Sequence, residues 1–357
     1  MARPRFHRLR VADRRQETRT CLSFAFAVPE ILAQAYRFMP GQYLTLRAMI
    51  AGTEVRRSYS ICSAPHENEL RVAVKLLKGG AFSAWAQDSL FAGSEIDVMT
   101  PDGRFGIPPE PGSARALLAI AAGSGITPIM SILKTALSEE RGPFFLLYGN
   151  RTSAEIIFRG ELEDLKDRHL GRLSVFHVLS REQQEFELLT GRLDAEKVGL
   201  LLRQVVPVHS LAHAFLCGPQ PMIEGLGPAL AEAGLPEPAI HIERFTPGAA
   251  GPPPPLPSAA LPAKVLARAT IIAEGATSEI DVAEGETILE AGTRAGLNLP
   301  YSCRGGMCCT CRARLLEGQA AMDVNYSLEP WELQAGYVLT CQARPLTKRL
   351  TVDYDHL

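Results

Sequence analysis

Cys303, Cys308 and Cys311 stand in C-x4-C-x2-C spacing inside Tyr301–Cys311 (YSCRGGMCCTC), and Cys341 follows after 29 intervening residues. Four thiolates at this spacing suit the two irons of a [2Fe–2S] cluster. Gly305 and Gly306 let the loop backbone close around the cluster sulfides. Such a cluster moves one electron at a time, so the rest of the chain is expected to supply electrons, accept them, or both. Cys309 sits between two ligands and reads as a small buried residue turned away from the metal. A zinc-stabilised binding module is the competing reading, because four cysteines also hold zinc. A distant fourth cysteine after C-x4-C-x2-C is unusual for zinc, and iron with acid-labile sulfide in the purified protein separates the two.

Two further strings carry cofactor chemistry. Arg57-Ser58-Tyr59-Ser60 offers an aromatic face for a flavin ring, a guanidinium for a pyrophosphate and a hydroxyl for a ring nitrogen. Downstream, Val74-Lys75 leads into Leu77-Lys78-Gly79-Gly80-Ala81-Phe82-Ser83, a glycine turn opening a helical run. Backbone N–H groups at the start of that helix, around Gly80, Ala81, Phe82 and Ser83, suit a phosphate. Gly103–Gly106 reads as a plain turn near the flavin.

From about residue 113 the pattern alternates strand and helix, which predicts a parallel sheet with ligands at the strands' carboxyl ends. Ala116–Ala121 runs into Gly123-Ser124-Gly125-Ile126-Thr127-Pro128; Phe144–Tyr148 into Gly149-Asn150-Arg151-Thr152; Leu173–Leu179 into Ser180-Arg181; Ala214–Cys217 into Gly218-Pro219. GSGITP lacks the last glycine of the dinucleotide fingerprint. Four strand-end motifs in one unit make the stronger case. Arg151 and Arg181 at strand ends, with no acid before Glu182, favour a ribose 2′-phosphate and hence NADPH over NADH.

The elements that position these motifs divide the chain of 357 residues. Residues 1–108 carry short β runs between turn signals and read as an antiparallel β-barrel for FAD. Residues 109–247 read as the α/β nucleotide domain. Residues 248–263, rich in proline, alanine and glycine, read as a stiff extended linker. Residues 264–357 read as an α+β ferredoxin domain of the β-grasp kind, a four-stranded sheet packed on a helix. A formal charge of −2 gives no case for nucleic acid. The apolar stretch Ala116–Leu133 is broken by Gly123, Ser124, Gly125, Thr127 and Pro128, so no membrane span is expected. With no secretory signal and no disulfide framework, a cytoplasmic location is expected.

RSYS, GGAFS, GSGITP, YGNRT, SRE, CGPQPM and the C-terminal cysteine pattern occur in one order. The chain therefore resembles the ferredoxin–NADP reductase superfamily with a plant-type ferredoxin fused at the C-terminus. The resemblance implies a relay from NADPH through FAD and the [2Fe–2S] cluster to a partner, the di-iron oxygenase component of a multisubunit monooxygenase. It implies that Arg57, Tyr59 and Ser60 hold the flavin and that Gly80 to Ser83 form its pyrophosphate turn. Gly123, Gly125, Thr127 and Pro128 become the nicotinamide-nucleotide loop. Ser180 and Arg181 meet the 2′-phosphate, and Cys217, Gly218 and Pro219 line the nicotinamide position. Glu243 and Phe245 fall at the flavin edge or serve packing. Reductases of other oxygenases share this architecture, and a free-standing diaphorase is a further alternative. No acid–base or nucleophilic catalytic residue is expected.

Overall fold

The computed structural model describes residues 4–245 and 264–356; the segment expected to be a linker, 248–263, lies outside the described residues. The chain forms two compact units, one built from 6–55 and 59–245, the other carrying the C-terminal residues.

The larger unit begins with strands β1 (Phe6–Thr18), β2 (Cys21–Ala27), β3 (Tyr43–Ile50), β4 (Thr53–Ser60) and β5 (Leu70–Lys75), helix α1 (Ala81–Ser89) and strand β6 (Glu95–Met99). They form one sheet in the order β4-β3-β6-β1-β2-β5. A bridge between Ile61, just past β4, and Val72 of β5 joins the two outer strands. Closure of this kind removes unpaired edges and makes a barrel. Leu9, Phe24, Leu44, Leu46, Val72 and Val98 fill it, together with Phe82 of α1. Strand β1 carries an exposed charged face and two register shifts against β2. Its apolar signal reduces to Leu9 and Val11, both buried.

Strand and helix then alternate: β7 (Ala116–Ala122), α2 (Ile126–Glu139), β8 (Phe144–Asn150), α3 (Arg159–Arg168), β9 (Leu173–Leu179), α4 (Ala195–Gln204), β10 (Leu211–Cys217), α5 (Gln220–Glu232) and β11 (Ile240–Glu243). The five strands are parallel, in the order β11-β10-β7-β8-β9. The chain winds outward from β7 to β9, then crosses back to β10 on the other side of β7. The β7/β10 pair is thus the topological switch point, where α/β sheets place their ligands.

Helix α2 is buried from Ile126 to Leu137. Its residues share one core with Leu146 and Tyr148 of the sheet and with Cys21, Cys62 and Ala73 of the barrel. A helix buried on all sides needs cover on all sides, and barrel and sheet together supply it.

The C-terminal unit contains β12 (Val265–Ala273), β13 (Ala276–Ala283), α6 (Ile288–Arg294), β14 (Arg312–Glu317), β15 (Ala320–Met322), α7 (Pro330–Gln334), β16 (Tyr337–Leu339), β17 (Ala343–Pro345) and β18 (Arg349–Asp353). Its main sheet has five strands, one more than expected, in the order β13-β12-β18-β14-β16, and β15 pairs with β17 apart from it. The extra strand is β16, only three residues long and paired with β14 just before Cys341. Helix α6 starts at a capping box in which Thr287 Oγ1 accepts from the Glu290 N–H and the Glu290 carboxylate accepts from the Thr287 N–H. Ile288, Leu289 and Ala291 then enter the core against Ala269, Ile271 and Val352. Among the described residues, no helix is long and apolar enough to cross a membrane.

Candidate functional site

The cluster loop runs between α6 and β14 and bends through left-handed conformations at Arg304 (φ 54°), Gly306 (φ 77°) and Cys309 (φ 53°). These bends turn backbone donors onto sulfur: the N–H groups of Gly305 and Met307 each lie 3.4 Å from Cys303 Sγ, and the Cys303 N–H lies 3.4 Å from Cys308 Sγ. The four expected ligands fall into two pairs. Cys303 is hydrogen-bonded to Cys308, and Cys311 to Cys341. The bond from Cys308 holds the Cys303 thiol below its ordinary range, and the bond from Cys311 does the same for Cys341. Paired thiols two by two, with N–H donors on the sulfurs, fit a binuclear iron–sulfur group.

Cys309 turns the other way, with its thiol 3.4 Å from the Ser327 carbonyl oxygen. Gln342 went unnoticed in the sequence. Its amide donates to the Arg304 carbonyl at 2.8 Å and lies 3.5 Å from Cys341 Sγ, tying the two ends of the loop together. The signal available was a polar residue directly after the fourth cysteine.

In the barrel, strand alternation sets Arg57 and Tyr59 on one face of β4 and Ser58 and Ser60 on the other. The Tyr59 ring meets Phe82 of α1 at 5.5 Å, which brings the start of α1 beside the tyrosine. Ser60 is buried at the end of the strand. Gly80 caps α1 without a side-chain bond. Ser83 instead closes the turn, donating through Oγ to the Gly80 carbonyl at 3.1 Å and accepting from the Leu77 N–H at 3.2 Å. The N–H groups of Ala81, Phe82 and Ser83 belong to the first helical turn, which lacks intrahelical acceptors. A half-buried aromatic, an exposed arginine and a helix start with spare donors fit a flavin nucleotide.

Lys75 ends β5 and reaches the sheet: its Nζ would lie 3.2 Å from a Cβ placed on Gly123. Gly123, Ser124 and Gly125 form a tight turn after β7 that passes straight into α2, with Thr127 and Pro128 in its first turn. A Cβ on Gly125 would stand 2.0 Å from the Cys217 carbonyl oxygen, so only glycine lets this turn pack on β10. Cys217, Gly218 and Pro219 follow at the end of β10. Burial pushes the Cys217 thiol well above its ordinary range, which suits a lining residue and not a nucleophile. Glu243 pairs with Cys217 at the end of the adjacent β11. Phe245 is 38% exposed.

The ends of β8 and β9 are tied to one another: the Ser180 N–H donates to the Asn150 carbonyl at 3.0 Å and the Arg181 N–H to the Arg151 carbonyl at 2.8 Å. Arg151 and Arg181 are both exposed there. The next acid, Glu182, is committed elsewhere, accepting from the Ser153 N–H at 2.8 Å and its hydroxyl at 3.0 Å. The buried Asn150 side chain faces the Tyr148 hydroxyl. Two exposed arginines at adjacent strand ends fit a phosphorylated dinucleotide.

A barrel with a flavin-type strand and turn, a parallel sheet with a dinucleotide-type switch point and a four-thiol domain define a pyridine-nucleotide-dependent flavin and iron–sulfur oxidoreductase. Family models agree: residues 8–107 match the oxidoreductase FAD-binding domain, 119–227 the oxidoreductase NAD-binding domain, and 271–346 the 2Fe-2S iron-sulfur cluster binding domain. The chain belongs to the family of reductases in which these three domains are joined in this order. It is 44% identical to a component of the 1,2-phenylacetyl-CoA epoxidase of Escherichia coli K12 over 98% of both chains. It is 36% identical to the ferredoxin reductase component of 3-ketosteroid-9-alpha-monooxygenase from Mycolicibacterium smegmatis, over 97% of this chain and 96% of that one. Phthalate dioxygenase reductase shares the fold, with a TM-score of 0.60 over 98% of each chain at 22% identity.

Proposed function

We propose that the chain is the reductase of a multicomponent monooxygenase, taking hydride from NADPH and passing electrons singly to a di-iron oxygenase component that epoxidises phenylacetyl-CoA. The observation that carries this reading is 44% identity, spread over nearly the full length of both chains, to an epoxidase component. The cofactors supply the redox chemistry: FAD accepts a two-electron hydride, and the [2Fe–2S] cluster releases one electron at a time.

The chain's own residues bind and orient. Arg57, Tyr59 and the first turn of α1 hold the flavin; the Gly123–Pro128 loop with Cys217, Gly218 and Pro219 receives the nicotinamide. Arg151, Ser180 and Arg181 take the 2′-phosphate, which selects NADPH. Cys303, Cys308, Cys311 and Cys341 ligate the cluster. The barrel covers residues 1–108, the nucleotide domain 109–247 and the ferredoxin domain 264–357. A cytosolic location accompanies this reading, since thiol ligands stay reduced there.

An anaerobic NADPH titration followed by optical and EPR spectra tests donor, flavin and cluster together. Reconstitution with purified oxygenase components then tests the partner. The 36% identity to the steroid-hydroxylase reductase makes that oxygenase the proper control. Turnover with it, and none with a phenylacetyl-CoA epoxidase, overturns the partner assignment.

A further inference from the structure

Tyr148 is the last aromatic of β8 and is fully buried beneath the loop that follows β7. Its hydroxyl donates to the Gly123 carbonyl oxygen at 3.0 Å. The same carbonyl accepts the Ile126 N–H, the first of α2, so both of its lone pairs are used. One residue on, the Ser124 carbonyl accepts from Thr127 Oγ1 at 3.0 Å. Two hydroxyls, one from the sheet and one from the helix, thus hold the two carbonyls at the tip of the turn.

A trans peptide points its C=O and N–H in opposite directions. With the Gly123 carbonyl held against Tyr148 below the loop, the Ser124 N–H faces away from the sheet. With the Ser124 carbonyl held by Thr127, the Gly125 N–H is fixed in the same manner. Gly123 itself stands at φ 54°, a conformation only weakly restrained in glycine, so the anchor has to come from elsewhere. Burial raises the Tyr148 phenol far above its ordinary range, so it remains a donor across the working pH range.

We propose that Tyr148 is a positioning residue for the pyridine dinucleotide: by fixing the Gly123 carbonyl it presents the Ser124 N–H to the nicotinamide–pyrophosphate half of NADPH. This rests on the reading of the Gly123–Pro128 loop as the nucleotide loop. The role belongs to the half that NADPH and NADH share, unlike that of Arg181.

The test is Tyr148→Phe in the FAD- and cluster-loaded full chain, with NADPH-to-ferricyanide steady-state kinetics. Loss of the bond to the Gly123 carbonyl predicts a KM roughly three- to tenfold higher for NADPH and for NADH alike, with kcat nearly unchanged. The NADPH/NADH preference stays as in the parent. Inhibition by NADP⁺ weakens by the same factor, whereas 2′-AMP, which reaches only the arginine end, inhibits as before. An unchanged KM, even with a lower melting temperature, overturns the proposal and leaves Tyr148 a packing residue. Equal weakening of NADP⁺ and 2′-AMP overturns it too, because the whole domain is then disturbed. If the parent protein oxidises neither NADPH nor NADH, the function assigned above fails instead.

Discussion

The Lys134 ammonium of α2 lies 2.7 Å from the Glu67 carboxylate of the barrel and 2.9 Å from that of Glu161 on α3. Lys134 is 7% exposed, in a helix that is buried from Ile126 to Leu137. One buried cation therefore joins barrel and sheet through the helix they share. Both glutamates keep partial contact with water, which limits their strain when the cation is removed. Lys134→Met is expected to cost about 1–3 kcal/mol, below the full penalty of a buried charge left alone. A melting temperature several degrees lower, with flavin released earlier than in the parent, is the readout. A double-mutant cycle with Glu67→Gln assigns the coupling to the seam.

Arg71 carries a second buried charge, inside the barrel wall. It is 4% exposed, donates to Ser23 Oγ at 2.8 Å and to Glu69 at 2.8 Å, and pairs with Asp13. Hydrogen bonds from Arg71 hold the Asp13 and Glu69 carboxyls below their ordinary values of 3.8 and 4.5. Groups depressed in the folded state stabilise it above their unfolded pKa, and lose that contribution as pH falls through the folded one. Barrel stability is therefore expected to hold down to about pH 4.5 and to decline below it. In Arg71→Met the protein is weaker at neutral pH by about 3 kcal/mol, and its acid limb flattens. Melting curves from pH 7 to pH 3 check both features. An acid limb identical to the parent's rules out this cluster as its source.

On the proposed reading, cofactor preference lies at the ends of β8 and β9. Glu182 spends its carboxylate on the Ser153 turn, which leaves the exposed Arg151 and Arg181 without that acid as a competitor for a 2′-phosphate. Arg181→Ala is expected to raise the KM for NADPH about 10- to 100-fold, the value of one or two charge-assisted hydrogen bonds. The KM for NADH should move less than threefold. Equal losses with both nucleotides would place the arginine outside the phosphate site.

Local spacing made much of this legible. Three of the four cysteines proposed as ligands lie a few residues apart in one loop, and strand-end motifs follow apolar runs of the kind a buried parallel strand needs. The capping box at Thr287 and Glu290 announces α6 for the same reason. Strand β1 was not legible, because its outward face is charged and its bulges break the two-residue period. Nor were Tyr148 and Lys134: each looks like an ordinary member of its strand or helix. Their roles depend on partners at Gly123, Glu67 and Glu161 that are brought together by folding. The C-terminal sheet was underestimated by one strand: the return through 337–342 is visible in the sequence, but its pairing with β14 as β16 is made only by folding.

The cysteine loop yields the sharpest prediction, because two neighbouring thiols have opposite surroundings. Cys308 is buried and bonded to Cys303; Cys309 turns its thiol to the Ser327 carbonyl. The left-handed backbone at Cys309 is what separates them. Serine in place of a ligand thiolate weakens the soft site that iron–sulfur clusters require. Cys308→Ser is expected to lose the cluster's visible absorption and EPR signal, along with support of an oxygenase. NADPH-to-ferricyanide activity, which needs only the barrel and the sheet, should stay within about twofold, since no ligand contact there is touched. Cys309→Ala should keep iron content, spectrum and both activities, at a stability cost of about 1 kcal/mol for one lost thiol contact. If Cys309→Ala lost iron and Cys308→Ser kept it, the ligand assignment would be reversed. If Cys308→Ser lost both activities while still holding FAD, electrons would have to leave the flavin only through the cluster.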